Sequence, residues 1–198
     1  MEKYRTGIQK ETADLQECDT TACWMCDHQQ YTWLTHDGRR VRCLAFQNKY
    51  TYVTVPRESH AEHHLLVVLK AHRGQHKKGL IDCTESDLKN LSKMVSYCCS
   101  ILKQPRFKYD TVYAGCYSDE RHVHFHLIPF NHDRDKGYHG EAMKWLASKE
   151  LKSAANPFCK MSNEEKHKRL DKIRKIVSEM RTAESKSLVR HINLRGRK

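Results

Sequence analysis

The stretch Arg121-His-Val-His-Phe-His-Leu-Ile-Pro129 decides how the rest of the chain reads. In an extended strand successive side chains alternate between faces, so His122, His124 and His126 share one face while Val123, Phe125 and Leu127 share the other. The apolar face suits a core. The opposite face presents imidazoles in a row, neighbours roughly 6.5–7 Å apart at the strand rise, close enough to contact several oxygens of one phosphate group. A neutral imidazole is nucleophilic near neutral pH because its unperturbed pKa is about 6.5. Attack on phosphorus gives a covalent intermediate that divides one difficult displacement into two, and a neighbouring imidazolium can steady phosphoryl charge and protonate the leaving group. The competing reading is a structural or metal-only cluster, or coincidence in a chain of 14 histidines. Strict alternation with apolar partners argues against coincidence.

The sequence around this strand has the pattern of an α+β domain. Val41 to Phe46 and Tyr50 to Val55, joined by Gln47-Asn48-Lys49, read as a hairpin of β-branched and aromatic residues. After the polar loop Arg57-Glu-Ser-His-Ala-Glu62, His64-Leu-Leu-Val-Val-Leu69 suits a buried strand. Thr84-Glu-Ser-Asp87 is a capping box opening a helix whose apolar positions are Leu88, Leu91, Met94, Val95, Cys98, Ile101 and Leu102, and Gln104-Pro105 ends it. Thr111 to Cys116 is a strand preceding the histidine strand. A second capping box, Ser162-Asn-Glu-Glu165, precedes Leu170, Ile173, Ile176, Val177 and Met180 at helical spacing, and the Gly-containing end from Arg190 to Lys198 is expected to be mobile. The expectation is an antiparallel sheet with one main helix, followed by a basic helical extension. Residues 1–22 form a polar lead-in, 23–140 the domain and 141–198 the extension.

His122-Val-His-Phe-His-Leu-Ile128 matches, position by position, the signature His-φ-His-φ-His-φ-φ, where φ is apolar, and on it the chain resembles the histidine-triad family. His64-Leu-Leu-Val-Val-Leu-Lys-Ala-His72 is similar to that family's second landmark, an apolar strand ending in Lys-x-His, and the resemblance covers roughly residues 20–135. It implies a nucleotidyl hydrolase or transferase acting at an α-phosphate, with His124 as the nucleophile that carries the nucleotidyl group. It further implies that His126 contacts the phosphate and assists the leaving group, and that His122 supports the geometry. In the loop before the triad, where relatives place Asn, Gly and Gln or Ser, this chain has Tyr113-Ala-Gly-Cys-Tyr-Ser-Asp-Glu120, with no Asn or Gln, and Ser118 is read with His126 as substrate-binding. Leu69 stands where Pro is usual, and Phe130 where Arg is common. Family members often dimerise, so a homodimer is a further expectation.

Cys23-Trp-Met-Cys26 lets two thiolates converge on one tetrahedral zinc ion, although a redox pair or two small buried hydrophobes would read the same way. The resemblance supplies the other ligands: zinc-bearing relatives use such a pair with the histidines matching His72 and His122, giving a structural Zn²⁺ site of Cys23, Cys26, His72 and His122. His28, His63 and His64 are substitute ligands and Cys18 a weaker one.

Net charge is +12 and uneven: residues 1–140 hold 20 Lys+Arg against 17 Asp+Glu, residues 141–198 hold 16 against 7. Such a basic extension suits a phosphate-rich partner such as nucleic acid or an anionic membrane surface, or is simply a solvated helix face. The scattered odd count of nine cysteines fits poorly with a secreted disulfide framework. No apolar leader follows Met1 and no apolar run approaches spanning length. An intracellular protein, cytoplasmic or nuclear, is therefore expected. Two functions remain at this level: the nucleotidyl hydrolase or transferase, with substrates from adenosine phosphoramidates and dinucleoside polyphosphates to adenylated nucleic-acid ends, and a non-catalytic, zinc-stabilised nucleic-acid-binding module.

Overall fold

The alternation read in the histidine strand holds in three dimensions. The computed structural model describes residues 25, 32–34, 40–56, 61–73, 79–116, 122–131 and 162–195. Its elements in chain order are β1 (Thr32–Leu34), β2 (Arg40–Arg42), β3 (Leu44–Gln47), β4 (Thr51–Thr54), β5 (Leu65–Leu69), a 3₁₀ turn (Gly79–Asp82), α1 (Glu85–Leu102), β6 (Thr111–Cys116), β7 (His124–Phe130) and α2 (Asn163–Arg195). Strands β3 to β7 form one antiparallel sheet in the order β3-β4-β5-β7-β6. The connection from β5 through α1 takes the chain past its neighbour position to the sheet edge at β6. The vacant slot is filled by β7, which is hydrogen-bonded on both sides.

The two faces of the sheet differ. Leu65, Val67 and Leu69 of β5 and Leu127 of β7 join the main core, with Leu91, Met94, Cys98, Ile101 and Leu102 of α1. Leu66 and Val68 point the other way and form a second cluster with Leu44, Tyr52 and Met25. Cross-strand partners share a face, and Leu66 faces His126 while Val68 faces His124. The second cluster therefore lies on the histidine face.

Helix α1 starts as its sequence dictates. The Thr84 hydroxyl accepts from the Asp87 amide at 3.1 Å, and the Asp87 carboxylate accepts from the Thr84 amide at 3.0 Å. The Arg73 guanidinium also donates to Asp87, at 2.8 Å, tying the segment after β5 to the helix. Burial alone would raise the Asp87 pKa, but the hydrogen bonds from Arg73 and Thr84 outweigh it and hold the carboxyl below its usual 3.8. Leu88 departs from the expected pattern, being 42% exposed at the rim of the apolar stripe.

Helix α2 opens with the second capping box, Ser162 and Glu165 exchanging bonds at 2.8 and 3.2 Å. Its Leu170, Ile173, Ile176, Val177, Met180 and Ala183 are buried in the same core as α1. Burying a row of this kind contributes on the order of 10 kcal/mol, as much as the stability of a whole domain. The helical tail is thus built into the domain's core. Arg181 makes the junction specific, donating to the Leu44 carbonyl at 2.7 Å and the Ala45 carbonyl at 3.0 Å, where the β3–β4 ladder is interrupted by a register shift.

Several details differ from the sequence expectation. The hairpin's first strand begins at Leu44, because Arg40–Arg42 pairs instead with Thr32–Leu34 in a separate ribbon. Asn48 closes the hairpin turn through its side-chain oxygen, which accepts from the Tyr50 and Thr51 amides at 2.8 Å each. The ladder of β7 begins at His124, not Arg121. The end expected to be mobile from Arg190 is helical through Arg195. Residues 1–22, Cys23, Cys26, His28, Ser118 and the segment 132–161 lie outside the described residues. No helix among the described residues is long and apolar enough to cross a membrane.

Candidate active site

The histidine face is a chain of hydrogen bonds whose direction can be worked out from one fixed acceptor. His124 Nδ1 lies 2.8 Å from the His122 carbonyl oxygen. A carbonyl only accepts, so Nδ1 carries the proton and, in the neutral ring, Nε2 holds the lone pair. His124 Nε2 is 3.0 Å from His126 Nε2, which must therefore donate. His126 Nδ1 is then the acceptor of the neutral ring, and at 3.1 Å it meets Nε2 of His64, which donates. The order of donation is thus His64 to His126, His126 to His124, and His124 to the backbone. This leaves the His124 lone pair on Nε2, directed at His126, the one triad member that is not fully buried.

The backbone sets these positions. His64, Leu66 and Val68 alternate onto the same face as His124 and His126, since Leu66 opposes His126 in the ladder. On the other side Gly115 opposes His126 and places no side chain against it. Cys116 opposes Phe125 and so points to the other face. Burial raises the pKa of every described thiol: Cys43 and Cys83 to about 11, with Cys98, Cys99 and Cys116 also raised. Near neutral pH these cysteines stay protonated, so none of them competes with an imidazole as nucleophile.

His122 faces the backbone and a second imidazole. Its Nε2 donates to the Leu69 carbonyl, which leaves Nδ1 as the lone-pair nitrogen of the neutral ring. The His72 ring meets it edge to face, centroids 5.1 Å apart. The two imidazoles named as ligands are thus neighbours in an edge-to-face contact. Among the described residues no group of three or more metal-capable side chains gathers; the two thiols of the expected site are outside them. Met25, which lies between those thiols in the sequence, is buried on the histidine face and its carbonyl accepts from the Tyr52 hydroxyl at 3.0 Å. The substitute ligands point elsewhere: His64 to His126 and His63 to Tyr109 and Glu179.

His124 and His126 alternate onto one face as the sequence pattern reads, His122 precedes the ladder and turns to the Leu69 carbonyl and His72, and sequence reasoning did not place His64 beside His126. The signal was present in the alternation of His64, Leu66 and Val68, but the face became assignable only with the β5–β7 register.

A histidine strand hydrogen-bonded on both sides in a five-stranded antiparallel sheet, helices on one face and imidazoles on the other, decides the architecture. The fold is of the histidine-triad type. No family model matches the sequence, and no curated protein is significantly similar to it. Among solved structures, a Zn-bound histidine-triad family protein from Mycobacterium smegmatis is 13% identical over 83% of this chain and 99% of that chain, with a TM-score of 0.49. A Hit-like protein involved in cell-cycle regulation from Bartonella henselae is 17% identical over 71% and 84%, with a TM-score of 0.45. The diadenosine triphosphate hydrolase of Plasmodium falciparum is 15% identical over 72% and 82%, with a TM-score of 0.41. Likeness at this level does not bear on what a histidine-triad fold does in this chain.

Proposed function

We propose that this protein is a nucleotidyl hydrolase or transferase that cleaves a phosphoanhydride, phosphoramidate or phosphodiester bond at an α-phosphate, with His124 as the nucleophile. The observation that carries this reading is the directed chain of imidazoles, which puts the lone pair of His124 on Nε2 and a donor proton on the facing Nε2 of His126. In the first step His126 turns its N–H from His124 to the substrate, and His124 Nε2 attacks phosphorus. The P–N bond forms, the bond to the leaving group breaks, and the leaving group takes the His126 Nε2 proton while His64, which takes up a second proton as the anionic substrate binds, passes its Nε2 proton to His126 Nδ1, so that His126 stays neutral. In the second step water, or another acceptor hydroxyl, gives a proton to His126 Nε2 and attacks phosphorus, breaking the P–N bond, and the Nδ1 proton returns to His64, restoring the rings. His64, donating to His126 Nδ1, holds the His126 proton at Nε2, where both steps need it. Ser118 is assigned to phosphate contact from the sequence pattern alone.

Zinc belongs to this proposal as a structural ion held by Cys23, Cys26, His72 and His122. Support comes from the neighbouring placement of the His72 and His122 rings and from the burial of Met25 on the histidine face. A closed four-ligand site keeps no open position for a metal-bound water. Its ligands pin the N-terminal segment beside the triad and fix His122, whose carbonyl orients His124.

The tail's charge gives less support to a nucleic-acid partner than its sum suggests. Lys168 pairs with Glu164 at 2.7 Å, Arg174 with Asp171 at 2.9 Å, and Arg181 is turned into the β3 carbonyls. Such pairs are what a solvated face makes with its own turns. The test of the proposal is turnover of a panel: an adenosine phosphoramidate, a diadenosine polyphosphate and an adenylated nicked DNA. Turnover of at least one by the wild-type chain, lost in His124→Ala, is the expected result. Binding of DNA with no turnover of any member favours the non-catalytic module.

A further inference from the structure

His63 stands one residue before the histidine that supports His126, and its backbone is unusual. Its φ is 57°, in the left-handed region, a conformation that costs a side-chain-bearing residue roughly 1–2 kcal/mol and persists only where its surroundings enforce it. Those surroundings are explicit. The residue is 6% exposed, and its ring packs edge-on against Phe107 and Tyr109, with centroids 4.9 and 5.8 Å away. Both ring nitrogens are engaged: Nδ1 at 2.8 Å from the Tyr109 hydroxyl, Nε2 at 2.6 Å from Glu179 Oε2 of α2. The Tyr109 hydroxyl donates to the Glu62 carbonyl at 3.1 Å. Its oxygen therefore accepts from His63 Nδ1, and one proton lies in the contact between Nε2 and the Glu179 carboxyl. Glu179 is held in turn, its carbonyl accepting from Arg106 at 2.9 Å and its outer oxygen lying 3.9 Å from Lys175.

The left-handed residue turns the chain into β5 and thereby directs His64, fully buried, onto the triad face against His126. We propose that Glu179 is a positioning residue for the histidine site: through His63 it fixes the turn that aims His64 at His126. This rests on the triad reading for its catalytic consequence, but not for its structural one. The carboxylate acts 116 residues along the chain from His63, from the helix that the sequence presents as a separate basic tail.

The experiment uses the full chain with Glu179→Ala and Glu179→Gln. The first readout is the ¹⁵N resonances of the His64 and His126 rings without any substrate, which report whether His126 Nδ1 still accepts from His64. The second is kcat and KM on whichever panel nucleotide the wild type turns over. Both variants should change the ring resonances, and kcat of Glu179→Ala should fall roughly tenfold to a hundredfold, the scale of a small misplacement near a reacting centre. KM should stay within about twofold. Glu179→Gln, which can still accept a hydrogen bond from His63, should recover part of kcat. If Glu179→Ala does not fold, the isosteric Gln variant decides. Wild-type resonances in folded Glu179→Gln and Glu179→Ala, or in the Gln variant alone where Ala does not fold, overturn the proposal and leave Glu179 as a helix anchor. Altered resonances in a protein that turns over no nucleotide uphold the positioning role while refuting the catalytic reading.

Discussion

Replacing His64 with alanine removes the first donor of the imidazole chain without touching the triad itself. The side chain is fully buried and its Nε2 is the donor to His126 Nδ1 at 3.1 Å. Its removal leaves that nitrogen facing a cavity. Losing one partner of a buried hydrogen bond costs about 1–3 kcal/mol, so a central figure of about 2 kcal/mol is expected for folding. At about 2–4 °C per kcal/mol for a chain of this size, the melting temperature should fall by about 4–8 °C. The catalytic effect has a separate origin. Without His64 the His126 proton is free to move to Nδ1, away from the leaving group, so only a fraction of molecules hold the productive tautomer. Loss of a partner that fixes a functional imidazole typically costs 10–100-fold, and kcat should fall by about that much with KM within about threefold. Steady-state kinetics at a temperature below both melting points, beside a thermal scan, reads the two effects independently. Unchanged kcat in a folded, destabilised His64→Ala protein would refute the argument, because the tautomer of His126 would then be set by something other than His64.

Three further outcomes follow from other parts of the structure. The Asp87 carboxyl is held below its usual 3.8 in the fold; a depressed carboxylate stabilises above its unfolded pKa, and that contribution is lost as pH falls through the folded value. Wild-type stability should therefore drop more steeply below about pH 4 than that of Arg73→Ala, as read by denaturant titration at a series of pH values; equal slopes would count against it. Ile176→Ala should cost about 2–5 kcal/mol by opening a cavity where α2 meets the core, and a change below about 1 kcal/mol would mean the helix is only loosely docked. Elemental analysis of protein purified without added metal should find about one zinc per chain. Chelation, Cys23→Ser and Cys26→Ser should each lower the melting temperature, whereas metal-free protein unmoved by chelator would return those residues to ordinary thiols.

Much of this architecture was legible because local signals were strong and mutually consistent. Both capping boxes formed the bonds their residues imply, and the apolar positions of α1 and α2 became buried stripes, apart from the exposed Leu88 and the half-buried Val95. The shared face of His124 and His126 followed from a period of two and needed no tertiary information. What stayed hidden depended on pairing between distant segments. The split of Val41 to Phe46 between two ladders reflects the partner found by Arg40–Arg42, which short strands do not announce. The role of His64 required the register of β5 on β7, since a slip by one residue would turn it to the helix side. The contact between Glu179 and His63 joins a helix face to a turn 116 residues away, which no local pattern announces.

The central claim is that His124 Nε2 forms the bond to phosphorus, and the most direct measurement is of that bond. Wild-type protein should be mixed with the best panel substrate, quenched within a turnover, and weighed intact, with the site located by fragmentation. The account predicts a mass increase of one nucleotidyl group, carried on His124, stable to base and lost in acid, and absent from His124→Ala. An adduct on another residue, or turnover that persists in folded His124→Ala, would contradict it.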